Sequence, residues 1–371
     1  MKRLHSIDIF RGLSILWMLV AHLLHWWLRK EDLWVYHFTW AIFDVIGSAG
    51  FLFIAGISTT ISYKNRIIKA ENSENYNLKM LRTEYMFRAC CILLLAIVYN
   101  FISVIRTGNL LFIWTWFVLL TAAVSLFIVW PLLKILKSVR VILGAVIWIL
   151  NQYIFAFLSG YKGQLNTYGI LFYILYNTTE VDPILAFFPF FLFGTVIGDV
   201  IFDVYSIDNQ AERNLALKYN LVFPLVIIGT CLIIFGILFE FPTFLQHRTF
   251  PWMIYSLGVD LVFFSVLICA EEFLFNETKR NYNFLFYYSY YSLTVYFAHN
   301  FLYFIFFSQL NARNIWFFIL VTIIITSFAL RILYKTLGRN ASVKQTISRL
   351  GASVAEILEK KRQINDKSKS L

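Results

Sequence analysis

Residues 110–133 read LLFIWTWFVLLTAAVSLFIVWPLL, twenty-four positions without one ionisable side chain. About 20 consecutive apolar residues cover the hydrocarbon thickness of a bilayer as an α-helix, so this stretch is long enough to cross a membrane. Working outward from it, the same test marks nine more stretches, at about 8–28, 34–63, 85–105, 140–160, 183–204, 219–241, 252–275, 283–307 and 315–337. The whole chain of 371 residues is 60% hydrophobic and 14% charged, where a soluble domain is about half apolar and a quarter charged. A cytosolic enzyme, a disordered chain and a secreted disulfide scaffold are thereby excluded. The fold class expected is an all-α integral membrane protein, a bundle of about ten transmembrane helices. Residues 1–340 form one polytopic domain and 341–371 a basic tail. Cys90, Cys91, Cys231 and Cys269 lie in apolar runs without CxxC spacing, so they read as small core hydrophobes, and no metal site is expected.

An even number of spans puts both termini on one side. Arg29, Lys30, Arg106, Lys162, Arg248 and Arg313 fall on the other side, leaving 26 of the 32 Lys and Arg, among them Lys279 and Arg280, on the side of the termini. The positive-inside bias makes that side the cytoplasm. It also accounts for the net charge of +11 without nucleic acid as a partner. The first span carries Asp8 and Arg11 and has no small-residue cleavage site after it, so it reads as a permanent helix. With no targeting peptide, the expected location is a prokaryotic plasma membrane. The stretch Tyr168 to Tyr176 is too short to span and reads as re-entrant or interfacial. In the tail, Val343, Ile347, Leu350, Val354 and Leu358 recur at helical spacing between basic residues. An amphipathic helix on the lipids of the cytoplasmic leaflet is expected there, with packing on a partner helix as the competing reading. No internal repeat is evident, which weakens a transporter built from inverted halves.

Ionisable side chains in lipid are costly, so each one inside a span is a functional candidate. His22, His25, His37, His247 and His299 map to the outer half or the outer loops, Asp44 and Asp260 nearer mid-depth, and Arg11 and Arg88 to the cytoplasmic ends. His37, Trp40 and Asp44 share one face if their stretch is helical, and Gly47, Gly50 and Gly56 allow a bend or close packing after it. Each has a plainer alternative: His37 as an interfacial residue, Asp44 as an interhelical hydrogen bond, Arg11 snorkelling to headgroups. A close backbone approach at Gly12 with Arg11 fixed beside it suits an anionic cofactor at the inner mouth, since guanidinium pairs with phosphate bidentately. There is no GxxxxGK[ST] motif, so a P-loop ATPase is not expected.

Arg3-Leu4-His5-Ser6-Ile7-Asp8-Ile9-Phe10-Arg11-Gly12-Leu13 resembles the RLxSxDxxRG opening of transmembrane acyltransferases related to heparan-alpha-glucosaminide N-acetyltransferase. His37, Trp40 and Asp44, followed by Phe51 to Ser58 (FLFIAGIS), are similar to that family's H-x-x-W, D and FxFIxGxS sequence. Pro189 to Gly198 (PFFLFGTVIG), Phe250-Pro251-Trp252 and Ser292 to His299 (SLTVYFAH) resemble its later segments. The resemblance implies acetyl transfer from cytoplasmic acetyl-CoA to an amine or hydroxyl of an extracytoplasmic acceptor, commonly a sugar or glycan, with His37 as catalytic residue.

Joined to the layering of charges, it gives a set of expected roles. Arg11 and Arg88 hold the CoA phosphates, and Asp8 and Trp40 are assigned with them to the donor. Asp44 orients the His37 imidazole, while His22 or His299 bonds the thioester oxygen or the acceptor. Whether His37 acts as a base or is itself acetylated stays open, as does a homodimer. The rivals are a transporter of a lipid-linked sugar or organic anion, which moves its substrate without consuming CoA, and a haem protein using the histidines as ligands.

Overall fold

The computed structural model describes residues 3–73, 76–177, 181–274 and 283–369; Lys279 and Arg280 lie outside the described residues. Among those described, regular structure is helical apart from a single bridge between Leu28 and Leu310. Nine segments are long and apolar enough to cross a membrane, and they fall on nine of the ten stretches expected from the sequence. The other one, 283–307, is helical but broken into α12 (Asn283–Tyr290), α13 (Ser292–Ala298) and a tighter turn, His299–Phe304. Unwound backbone inside a membrane protein must find partners within the protein. Here the Trp27 indole of α1 (His5–Trp27) donates to the Leu302 carbonyl at 2.8 Å, and the Asn300 amide donates to that of Phe297 at 3.3 Å.

Two further stretches differ from plain spans for similar reasons. The 34–63 stretch divides into α2 (Leu33–Phe43) and α3 (Ser48–Glu71), separated by a turn over Asp44–Ile46 and by Gly47. The stretch 110–133 starts as a turn, Leu110–Trp114, runs extended, and becomes helix only at Val118. Asn100, on α4 (Leu78–Thr107), donates to the Ile113 and Thr115 carbonyls of the unwound part at 3.1 and 2.9 Å. The indoles of Trp114 and Trp116 both donate to the Ile174 carbonyl. They hold α7 (Thr167–Leu175), the short stretch seen in the sequence, across the end of α5 (Val118–Leu132) and α6 (Lys137–Ser159).

The centre of the bundle is α8 (Ile184–Tyr205), most of which is buried. Its PFFLFGTVIG sequence packs on the FLFIAGIS sequence of α3. A Cβ at Gly56 would stand 2.1 Å from the Phe191 carbonyl oxygen, and one at Gly194 would stand 2.1 Å from that of Phe53. Small residues let the two backbones touch, which is how helices associate where lipid removes the hydrophobic drive. Buried Arg140 of α6 pairs with Asp199 of α8 and donates to Thr195. Lys64 of α3 reaches both Asp199 and Asp203, each at 2.9 Å.

Behind this core, α9 (Gln210–Ala216) leads through a wider helical turn into α10 (Phe223–Phe239), which packs along α11 (Phe250–Cys269). On the periphery, α14 (Ile315–Thr336) leaves Phe317, Leu320, Ile324 and Phe328 exposed, as lipid-facing residues would be.

The tail forms α15 (Val343–Lys369). Of the two readings of it, packing on a partner helix is the one the geometry matches. Ile347, Gly351 and Ala355 lie at i, i+4 and i+8 against α4, and Asn77 donates to Glu359 at 2.7 Å. Leu350, Ile357 and Leu358, on another face, stay exposed.

Candidate active site

Arg3, just before α1, Asp8 and Arg11 of α1, Arg66 of α3, Arg88 of α4 and Lys344 of α15 all line one cavity of about 600 Å³. Asp8 fixes its floor. The carboxylate of this buried residue accepts from Arg3 at 2.7 Å and from the Ser289 hydroxyl at 2.9 Å, and lies 3.9 Å from Arg11. Arg11 also donates to Ser58, and Arg66 pairs with Glu84. No ion pair or hydrogen bond engages Arg88 or Lys344 among the described residues. The first turn of α1 is held in turn by Glu271, whose carboxylate accepts from the backbone N–H groups of His5 and Ser6 at 2.8 and 2.7 Å. These are donors at a helix N-terminus that no intrahelical carbonyl can satisfy.

A second cavity, of about 350 Å³, opens from the other end of the bundle. His22, His25, Trp40, Asp44, Arg106, Asp182, His247 and Tyr296 are among its walls. Asp44 sits in the turn between α2 and α3 and is 3.1 Å, Oδ2 to Nε2, from His247 on the loop before α11. The His247 ring is boxed by Trp40 (ring centres 4.9 Å apart), Trp252 (4.5 Å) and Phe187 (5.5 Å). Burial first, and Arg248 next, hold that imidazole well below its usual titration range, so it is a neutral acceptor at physiological pH. Asp182, on the connection before α8, is pushed up to about 7 by burial, against the opposing pull of Ser48, Arg248 and the Val118 N–H. A carboxyl that titrates near neutrality and an imidazole kept neutral there thus share one chamber.

The residues picked out from the sequence divide between the two cavities. Arg11, Arg88 and Asp8 come together at the charged mouth. Asp44, Trp40 and His22 come together in the other chamber, so Trp40 is apart from the cations it was grouped with. His299 is buried behind this chamber, its ring stacked on His22 at 4.9 Å and on Trp26 at 5.4 Å. His37 stands apart: it is exposed on α2, its ring 5.2 Å from that of Tyr36, and it does not line the chamber that Tyr36 lines. Asp44 therefore meets His247 where the sequence had suggested His37. His247, Asp182, Arg106 and Lys344 carried no catalytic or binding role in the sequence reading; for His247 the available signals were its place among the outer histidines and its position three residues before Phe250-Pro251-Trp252.

The two cavities share Ile15, Phe51, Val118 and Tyr296 as lining residues. The two cavities adjoin at these four residues, the first lined by cations and the second bearing carboxylates and imidazoles. The family described as "Heparan-alpha-glucosaminide N-acetyltransferase, catalytic" matches residues 3–239. The chain belongs to this family. Comparison with curated proteins returned no match. The match to this transmembrane acetyltransferase family takes in Asp8, Arg11, His22, His37, Trp40, Asp44, Arg88 and Asp182, and stops short of His247, Tyr296, His299 and Lys344.

Proposed function

We propose that the protein transfers an acetyl group from acetyl-CoA, bound at the cationic mouth on the cytoplasmic side, to an amine or hydroxyl of an acceptor entering the opposite chamber. A sugar or glycan is the acceptor class that the family's name suggests. The observation that carries this reading is the shared lining of the two cavities, which gives a pantetheine-length arm a route from the cations to the imidazoles. Arg11, steadied by Asp8, and Arg88 bind the donor's phosphates as charge-assisted pairs. In the outer chamber the acceptor heteroatom bonds to the acetyl carbonyl carbon, the carbon–sulfur bond breaks, and CoA leaves as the thiolate, which is protonated in turn by the base that took the acceptor's proton. The acceptor's proton goes to a protein base. His247 fits that role: it is neutral, lines the chamber, and has Asp44 beside it to orient the ring and offset the imidazolium charge. In this reading His22, with His299 stacked behind it, and Tyr296 bond the thioester oxygen.

A second reading keeps His37 as the base. It is favoured by the H-x-x-W sequence shared with the family, and by the contact of His37 with Tyr36 at the chamber wall. Purified protein incubated with acetyl-CoA and a panel of amino sugars and glycans tests the activity itself. Acceptor-dependent release of free CoA is expected. Acceptor movement across proteoliposomes without CoA release would replace the transferase with a transporter.

A further inference from the structure

Of the five cations around the inner mouth, Arg11, Arg66 and Arg88 come from transmembrane helices and Arg3 from just before the first; the fifth, Lys344, comes from the tail. Its position is fixed from several directions. The Val343 N–H donates to Thr294 of α13 at 3.3 Å, the Ser342 hydroxyl to the Tyr290 carbonyl at 3.2 Å, and the Tyr291 hydroxyl to the Gly338 carbonyl at 2.7 Å. Further along, Gly351 brings α15 against Phe87 and Glu84 of α4, one turn from Arg88, and Ala355 is buried beyond it. Lys344 and Ile347 then project into the same cavity as Arg11 and Arg88.

Burial, and after it the two guanidiniums, hold the Lys344 ammonium well below the usual lysine range. The two carboxylates at hand, Asp8 and Glu84, are already engaged by arginines. Like charges that outnumber the carboxylates of a half-buried cavity repel one another unless an anion joins them.

We propose that α15 is part of the donor site, with Lys344 binding the phosphates of the acyl donor together with Arg11 and Arg88. This rests on the donor reading above and extends it: the tail closes the inner mouth, and the charge it delivers is one the family match does not cover. The chemistry recognised is a phosphate, which a CoA nucleotide or an anionic lipid headgroup can supply.

Calorimetric titration of CoA into the full-length protein, in nanodiscs of phosphatidylcholine with or without phosphatidylglycerol, separates these. Lys344→Met should weaken CoA binding about tenfold, as expected for a charged hydrogen bond, while Lys344→Arg keeps most of the affinity and shows that the tail still docks. Lys360→Ala/Lys361→Ala, on exposed positions of the same helix, should bind CoA as the unaltered protein does. Phosphatidylglycerol should change none of these affinities. Undiminished binding by Lys344→Met, with Arg88→Ala weakened, would remove the tail from the site and leave the donor reading standing. Competition between phosphatidylglycerol and CoA that depends on Lys344 would make the site a lipid site. No CoA binding by the unaltered protein would overturn both readings.

Discussion

At the scale of single residues, the proposed base rests on the 3.1 Å approach of Asp44 to His247. A Cβ at Gly47 would stand 2.6 Å from Asp44 Oδ1 and 3.1 Å from Trp17, so the bare glycine is what lets the carboxylate sit under the imidazole. His247→Ala is expected to lower turnover by about 10² to 10⁴, the usual worth of a general base. Asp44→Asn should cost less, and the double variant should be little worse than His247→Ala, because groups acting as a unit are not additive. His37→Ala with full CoA-release activity fits this base; loss of activity there, with His247→Ala active, fits the second reading.

The pH profile carries its own sign. His247 prefers the neutral form in the folded protein, so its ability to accept a proton persists as pH falls through the ordinary imidazole value of 6.5, and the acid limb of kcat/KM should lie below that value. The same preference means that the unfolded chain binds more protons than the folded one once pH drops under 6.5. This group's contribution to stability is therefore present above that pH and lost on acidification. Asp8, Arg11, His22, Trp40, Asp44 and Arg88 are legible in the sequence because a polar group inside an apolar run stands out. His247, Asp182 and Lys344 are not, since they lie in connections or in the tail, where charged residues are ordinary, and only the fold carries them to the cavities.

Among the elements, the α3–α8 contact bears most weight. Gly56 and Gly194 face main-chain oxygens, which cannot swing aside as a flexible side chain does. Gly56→Ala is expected to lower stability by about 1–3 kcal/mol, as overpacking does, seen as an earlier thermal transition in detergent. Gly160, with nothing within 4 Å of its would-be Cβ, should accept alanine with no such shift. That α3 and α8 exist follows from hydropathy alone. That FLFIAGIS and PFFLFGTVIG are two sides of one interface does not, because glycine spacing marks a close approach without naming the partner.

The breaks were harder to see for a different reason. The tight turns at Leu110–Trp114 and His299–Phe304 lie within otherwise apolar stretches, and side-chain donors arriving from other helices, Asn100 and Trp27 among them, satisfy their backbone. For α15 the periodicity gave the helix correctly. It could not show that the face meeting α4 is Ile347, Gly351 and Ala355 while Leu350 and Leu358 remain outside.

For the whole molecule, the separation of charge along the bundle sets its direction in the membrane. The mouth lined by Arg3, Arg11, Arg66, Arg88 and Lys344 is expected to face the cytoplasm under the positive-inside bias, and the chamber of Asp44 and His247 the outside. Single cysteines placed at Lys162 and at Asp208, in a background lacking the four native cysteines, test this in intact cells. An impermeant maleimide should label the first and not the second, and the reverse pattern would invert the molecule.

Such a path also has to remain closed to ions. Between a cationic vestibule and a chamber rich in proton-binding groups, any continuous thread of water would discharge the cell's proton gradient. Among the described residues, Ile15, Phe51, Val118 and Tyr296 line both cavities, and three of these four side chains are hydrocarbon and shed water as hydrophobic gates do. On the proposed function, this collar is expected to serve as a membrane seal, admitting a thin thioester arm while staying dry around it. Val118→Ser in proteoliposomes should accordingly raise passive proton leak, even where the CoA site and the imidazoles are untouched.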